Sequence, residues 1–377
     1  MNTGPAGTAP AGHDHRLAFA DGIRGLAALW VVLFHASEGQ HLEHLKAALP
    51  APLVRFVFDW GDLGVPAFFV LSGFVMMVTV ERLHFDGATA ARFAVRRMIR
   101  LGPPYYAAIA LALAMLGLEA LLLGRPMVPF GSIELLTHAT YTQAIFGVPH
   151  VNFAFWTLCI EVQFYLVFAS LLWWADRQAG TVLGLDRRAA VLLGAWLVGL
   201  PWALGLITDP LYPGGFLPFW FSFMAGVLAF LAWQRGGQLK PLFWVYVLML
   251  LWASASGQQS SFACTAALVA GALVLAGATG QMRRWLKGRT FAFLGACSYS
   301  LYLLHGPLSG AAFYVLRRLL PPTAIGEAIA LAVVVGLCLA AAWLSLVTIE
   351  RLSIGWSKRL RMTSAPAYQL ASQTDRA

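Results

Sequence analysis

The chain has 377 residues, of which 59% are hydrophobic and only 11% charged, with a mean hydropathy of +0.70. Soluble globular chains carry about 25% charged residues, so this deficit excludes a soluble domain and specifies a polytopic membrane protein. Lys and Arg number 26 against 17 Asp and Glu, a net charge of +9. These bases sit in short segments between apolar stretches, which makes them topology signals and excludes a nucleic-acid-binding patch.

Residues 1–16 are rich in Ala, Gly and Pro, with no basic n-region or cleavage site, and read as a disordered cytoplasmic tail. Ten apolar segments of spanning length follow, near 17–37, 61–80, 104–123, 154–174, 189–207, 215–233, 241–257, 259–279, 291–316 and 324–348. They predict an all-α helix bundle. Only SGQQS, residues 256–260, divides the seventh from the eighth. With the N-terminus inside, the internal segments hold twenty of the 26 Lys and Arg and the external ones five, which places both termini in the cytoplasm. The external stretch 124–153 mixes turn formers with apolar residues and is expected to dip into the outer face. Residues 353–377 read as a basic, largely disordered tail, leaving 17–352 as one membrane domain. The four cysteines lie inside apolar segments without ligand spacing, as packing residues do.

The first segment contains DGIRGLAALWVVLFHA, residues 21–36. Arg24 and His35 are eleven residues apart, three helical turns plus about 20°, so they share one stripe about 16 Å apart. An ionisable residue within a span costs a few kcal/mol and marks a functional site by default. Arg24 either snorkels to the inner headgroups beside Asp21 or faces the bundle. His35 either bonds a neighbouring helix or serves as a base. In the second segment Ser72 and Gly73 form a small pair that either lets helices approach closely or lets an extended ligand pass the backbone. RRMIRLGPPYY puts Arg97 and Arg100 at i, i+3 on a short inner helix that Pro103 and Pro104 are expected to break, and guanidinium forks there suit phosphate oxygens. In FWTLCIEVQFY, Glu161 falls about 10 Å below the outer rim, the depth expected for His35, with Tyr165 one turn on. A carboxylate beside an imidazole fixes its tautomer and raises its basicity, so Glu161 is the expected support of His35. SYSLYLLHGPL brings Tyr299, Tyr302 and His305 into the bundle. Glu350 is expected at headgroup level, paired with Arg351.

In this order, DGIRGLAALWVVLFHA, FFVLSGFVM, RRMIRLGPPYY, FWTLCIEVQFY and SYSLYLLHGPL resemble the integral-membrane acyltransferase family 3. Its members are acyl-CoA-dependent O-acyltransferases that decorate bacterial surface and exported polysaccharides. The resemblance spans about residues 17 to 352 and looks most like stand-alone exopolysaccharide acetyltransferases. ERLS at 350–353 departs from the family, which commonly has a proline soon after the glutamate. The resemblance implies a bacterial inner-membrane enzyme without a metal. It would move an acyl group, acetyl first among the choices, from cytosolic acetyl-CoA or another acyl-CoA to a sugar hydroxyl of a glycan or lipid-linked precursor. Arg97 and Arg100 would hold the phosphates and Arg24 would add positive charge along a tunnel lined by Ser72, Gly73 and Tyr302. Trp156, Tyr165 and His305 would meet the acceptor, and His35 would be the general base with Glu161 behind it. A two-step route through an acyl-histidine is equally open. Two other readings stand beside this one: a proton-coupled transporter, because buried Arg, Glu and His also suit a proton relay, and an O-acyltransferase acting on a small-molecule glycoside.

Overall fold

A computed structural model describes residues 17–124, 130–178, 180–182, 184–256 and 261–362. Ten of its helices have 17 residues or more: α1 (Ala18–Glu38), α2 (Gly64–Val80), α3 (Gly87–Leu123), α4 (Trp156–Asp176), α5 (Arg187–Ala203), α6 (Leu217–Gln234), α7 (Leu239–Ala255), α8 (Ser261–Ala278), α9 (Arg289–Leu319) and α10 (Ala324–Ser345). Each coincides with one of the ten apolar segments. Seven of them, α1, α2, α3, α4, α6, α8 and α10, are long and apolar enough to cross a membrane. Helices α5 and α7 stop at 17 residues, and α9 carries the polar Ser298, Ser300 and His305. The protein is thus an all-α, multi-pass membrane protein. The expected tail at 1–16, residues 363–377 of the one expected at 353–377, and most of the SGQQS divider lie outside the described residues.

One expectation fails along α3. Pro103 and Pro104 do not break the chain: α3 runs through them as one helix of 37 residues. An interior proline costs about 3 kcal/mol because it removes a backbone donor and crowds the carbonyl four residues back. Here the carbonyl that Pro104 leaves without its helical donor, Arg100 O, finds another, and its neighbour Leu101 O gains an additional one. Ser353 Oγ donates to Arg100 O at 3.1 Å, and Tyr299 Oη donates to Leu101 O at 2.9 Å. The chain past residue 352 continues as α11 (Arg351–Arg359), whose Ser353 supplies that first bond. The serine in ERLS therefore occupies a working position against α3.

Close glycine crossings set the registers that matter for function. Helices α1 and α9 run parallel and meet where a Cβ on Gly25 would lie 2.5 Å from Gly295 N, and one on Gly295 2.5 Å from Asp21 O. His35 and His305 each lie ten residues beyond that crossing, so the parallel register brings them level. Helices α2 and α6 cross as closely: a Cβ on Gly73 would stand 2.0 Å from Phe223 O, and one on Gly226 1.9 Å from Val70 O. The base of α2 is clamped by the buried Asp176–Arg188 pair, with Arg188 Nε donating to Asp176 Oδ1 at 2.5 Å and Phe85 N donating to Asp176 Oδ2 at 2.6 Å. That clamp fixes the turn leading into α3 and its arginines.

Candidate active site

Helices α2 and α4 converge on one carboxylate. Ser72 Oγ donates to Glu161 Oε1 at 2.6 Å, and Tyr165 Oη donates to the same oxygen. Arg97, on α3, is 9% exposed. Its guanidinium lies over Phe93 and Tyr165, 5.3 and 5.6 Å from the ring centres, and Nη2 donates to Thr79 Oγ1 at 3.4 Å. No ion pair among the described residues includes Arg97. A buried guanidinium has five donors to satisfy, so this one is poised for an anion.

These residues line a cavity of about 490 Å³. Five cations stand in its wall, Arg24, Arg97, Arg100, Arg351 and Lys358, against three carboxylates, Asp21, Glu161 and Glu350. Arg24 pairs with Asp21 at 3.5 Å. Glu350 corrects the expectation of a headgroup-level pair with Arg351: it is buried, and Ser300 Oγ donates to its Oε2 at 2.8 Å. The excess of positive charge and the buried guanidinium without an ion pair suit an anionic ligand such as a phosphate.

The far end of the cavity is closed by Phe68, Thr157 and Tyr302. Thr157 Oγ1 and Tyr302 Oη are hydrogen-bonded at 2.9 Å, and the Phe68 ring meets that of Tyr302 edge-on at 5.3 Å. Beyond this layer lie the histidines. The ring centres of Tyr302 and His305 are 5.9 Å apart, and the His305 ring stacks on that of His35 at 5.3 Å. The open shaft expected beneath His35 is therefore interrupted by one aromatic layer, in which one hydroxyl donates to the other and the second has Ala154 O as its acceptor.

Glu161 does not touch His35. The carboxylate on His35 is that of Glu38, with Oε2 2.6 Å from Nδ1. Phe153 explains why. Its ring lies 4.1 Å from that of His35, so the descending chain is already level with the imidazole there. Glu161 comes eight residues later, about 12 Å further down. Gly73 and Trp156 are corrected as well. Gly73 faces the α6 backbone and not the cavity, and Trp156 packs between Phe219 and Phe69, 5.2 and 6.5 Å away. Of the other expected residues, Arg24, Ser72, Arg97, Arg100, Tyr165 and Tyr302 share the cavity, while His35 and His305 form the separate pair above it.

Sequence reasoning passed over Glu38, although an i, i+3 carboxylate on the same helix is visible in HASE. It also passed over Thr157, Lys358 and Asn152, whose Nδ2 donates to Leu303 O at 3.0 Å and ties the loop before α4 to α9. No local pattern marks those three.

Comparison with known proteins identifies the family. A family model described as an acyltransferase domain matches residues 17–347. Nodulation protein 10 of Rhizobium leguminosarum bv. viciae is 28% identical over 335 residues, covering 80% of this chain and 84% of that protein. A protein of Komagataeibacter xylinus named as a membrane-bound transacylase, BcsY, is 27% identical over 361 residues, covering 90% of this chain and 83% of its own length. No solved structure matches the chain. With a buried arginine cavity below, a histidine pair above and a family match running through both, the chain belongs to the acyltransferase 3 family of membrane acyltransferases.

Proposed function

We propose that the protein transfers an acyl group, acetyl in the first instance, from cytosolic acyl-CoA to a sugar hydroxyl of an exported or lipid-linked glycan. It would do so in the bacterial cytoplasmic membrane, with both termini inside. The observation that carries this reading is the spacing between the two parts of the site. Tyr165, over which Arg97 lies, is twelve residues below Phe153, which touches His35. That is about 18 Å of helix, and an extended pantetheine arm reaches about 15–20 Å.

Arg97 and Arg100 then grip the phosphates, Arg24 supports them, and Ser72 with Tyr165 holds Glu161 against the arm. The Thr157–Tyr302 layer swings aside for the thioester. The acceptor hydroxyl gives its proton to His35 Nε2 while its oxygen bonds to the thioester carbon. The C–S bond breaks, and the thiolate recovers the proton from His35. Glu38 holds Nδ1–H throughout and balances the transient imidazolium. Deleting the gene and comparing exported glycans tests the reading. Loss of an alkali-labile ester supports it, and unchanged ester content in every surface glycan contradicts it.

A further inference from the structure

The two imidazoles are wired alike. His35 Nδ1 faces the Glu38 carboxylate at 2.6 Å. His305 Nδ1 faces two main-chain carbonyls, Tyr302 O at 2.7 Å and Leu301 O at 3.3 Å. Each Nδ1 meets only acceptors and so carries the hydrogen, which leaves the lone pair of each neutral ring on Nε2. His305 is 0% exposed, and its Nε2 is buried without a hydrogen-bond partner. A buried acceptor left unmet costs about 1–3 kcal/mol, so a group this enclosed implies a donor that arrives with a ligand.

One hydroxyl has one hydrogen and cannot serve two lone pairs. Two hydroxyls on adjacent carbons can: their oxygens lie about 2.9 Å apart, and each reaches a nitrogen at about 2.8 Å. Such a pair bridges nitrogens on rings centred 5.3 Å apart. Phe153 covers the pair, 4.1 Å from the His35 ring and edge-on to His305 at 5.6 Å. It separates the pair from a cleft of about 440 Å³ between α3 and α9, so a glycan lying in that cleft reaches the histidines by displacing this ring.

We propose that His35 and His305 form a subsite for a vicinal diol, in which the hydroxyl to be acylated donates to His35 Nε2 and its neighbour donates to His305 Nε2. This rests on the acyl-transfer reading above and names the acceptor class for it. His305 takes no proton; it fixes which of two neighbouring hydroxyls faces the thioester.

Two substitutions separate this role from a structural one. Gln places an acceptor oxygen where Nε2 was. Asn keeps a donor where Nδ1–H was, with no acceptor beyond it. Full-length protein in membrane vesicles carrying the native acceptor is given labelled acetyl-CoA, and ester formation is followed. His305→Gln is expected to stay within about threefold of wild type, whereas His305→Asn falls about thirtyfold through KM for the acceptor, with KM for acetyl-CoA unchanged. The reverse order, or equal loss in both, overturns the proposal. If neither variant folds, NMR of the native esterified sugar decides: a free hydroxyl on a carbon next to the ester supports the diol subsite, and its absence overturns it. A wild-type protein that forms no ester at all counts against acyl transfer itself, and the diol subsite falls with it.

Discussion

His35 Nδ1 lies 2.6 Å from Glu38 Oε2, one turn further along the same helix. Because the carboxylate only accepts, it fixes the tautomer that presents Nε2 as the base. Removal of the base in His35→Ala is expected to lower transfer by about 10³-fold or more. Glu38→Gln keeps an acceptor but loses the charge, and is expected to cost about tenfold. Rates of ester formation in vesicles check both. A Glu38→Gln variant as inert as His35→Ala would place Glu38 in a larger role than orientation.

Arg97 and Glu161 belong to the lower cavity, so their substitution should act on the donor. Arg97→Ala and Arg100→Ala are each expected to raise KM for acyl-CoA about tenfold or more while leaving KM for the acceptor in place. Glu161→Gln should follow the same pattern, since Ser72 and Tyr165 hold it in the donor cavity. Steady-state kinetics with each substrate varied in turn reads this out. A rise in acceptor KM with Glu161→Gln would return that carboxylate to the histidines.

Gly73→Ala and Gly226→Ala should unsettle the bundle. Each new Cβ would meet backbone oxygen at 2.0 or 1.9 Å, which neither helix can relieve without moving. Overpacking of this kind costs about 1–3 kcal/mol. Thermal unfolding in detergent should fall by several degrees, with KM for acyl-CoA unchanged in the protein that remains folded. A raised KM at full stability would restore Gly73 to the ligand.

The ten long helices and the histidine–arginine stripe were legible because a bilayer demands about twenty apolar residues per span and penalises any charge within one. The partner of His35 was misread because depth was counted from an assumed rim. The chain before α4 instead dips until Phe153 stands beside the imidazole. The unbroken α3 was illegible locally. Its repair comes from Ser353, 253 residues from the carbonyl that it meets. The level pairing of His35 with His305 follows from a glycine crossing that no single segment shows.

The segment before α4 should respond to pH through His138. Its Nδ1 donates to Glu134 O at 2.8 Å and its Nε2 accepts from Val151 N at 3.1 Å, so only the neutral ring makes both bonds. Burial holds this imidazole below its ordinary 6.5. The folded form thus takes up its proton at lower pH than the unfolded one. Its stabilisation is complete above 6.5 and is lost as pH falls toward the folded value. Hydrogen exchange at Val151, corrected for intrinsic rates, is expected to quicken as pH falls below 6.5. His138→Gln should abolish that change. Equal pH sensitivity in the variant would remove His138 as its source.

The passage of the thioester past Tyr302 to the acceptor hydroxyl held at His35 is tested most directly in inside-out vesicles given radiolabelled acetyl-CoA, with nucleotide binding measured alongside. Wild type should place label in alkali-labile ester. Tyr302→Trp, which thickens the layer between cavity and histidines, should bind CoA within about twofold of wild type yet transfer at least 100-fold less. Normal transfer by Tyr302→Trp, or ester formation that survives His35→Ala, would contradict the route.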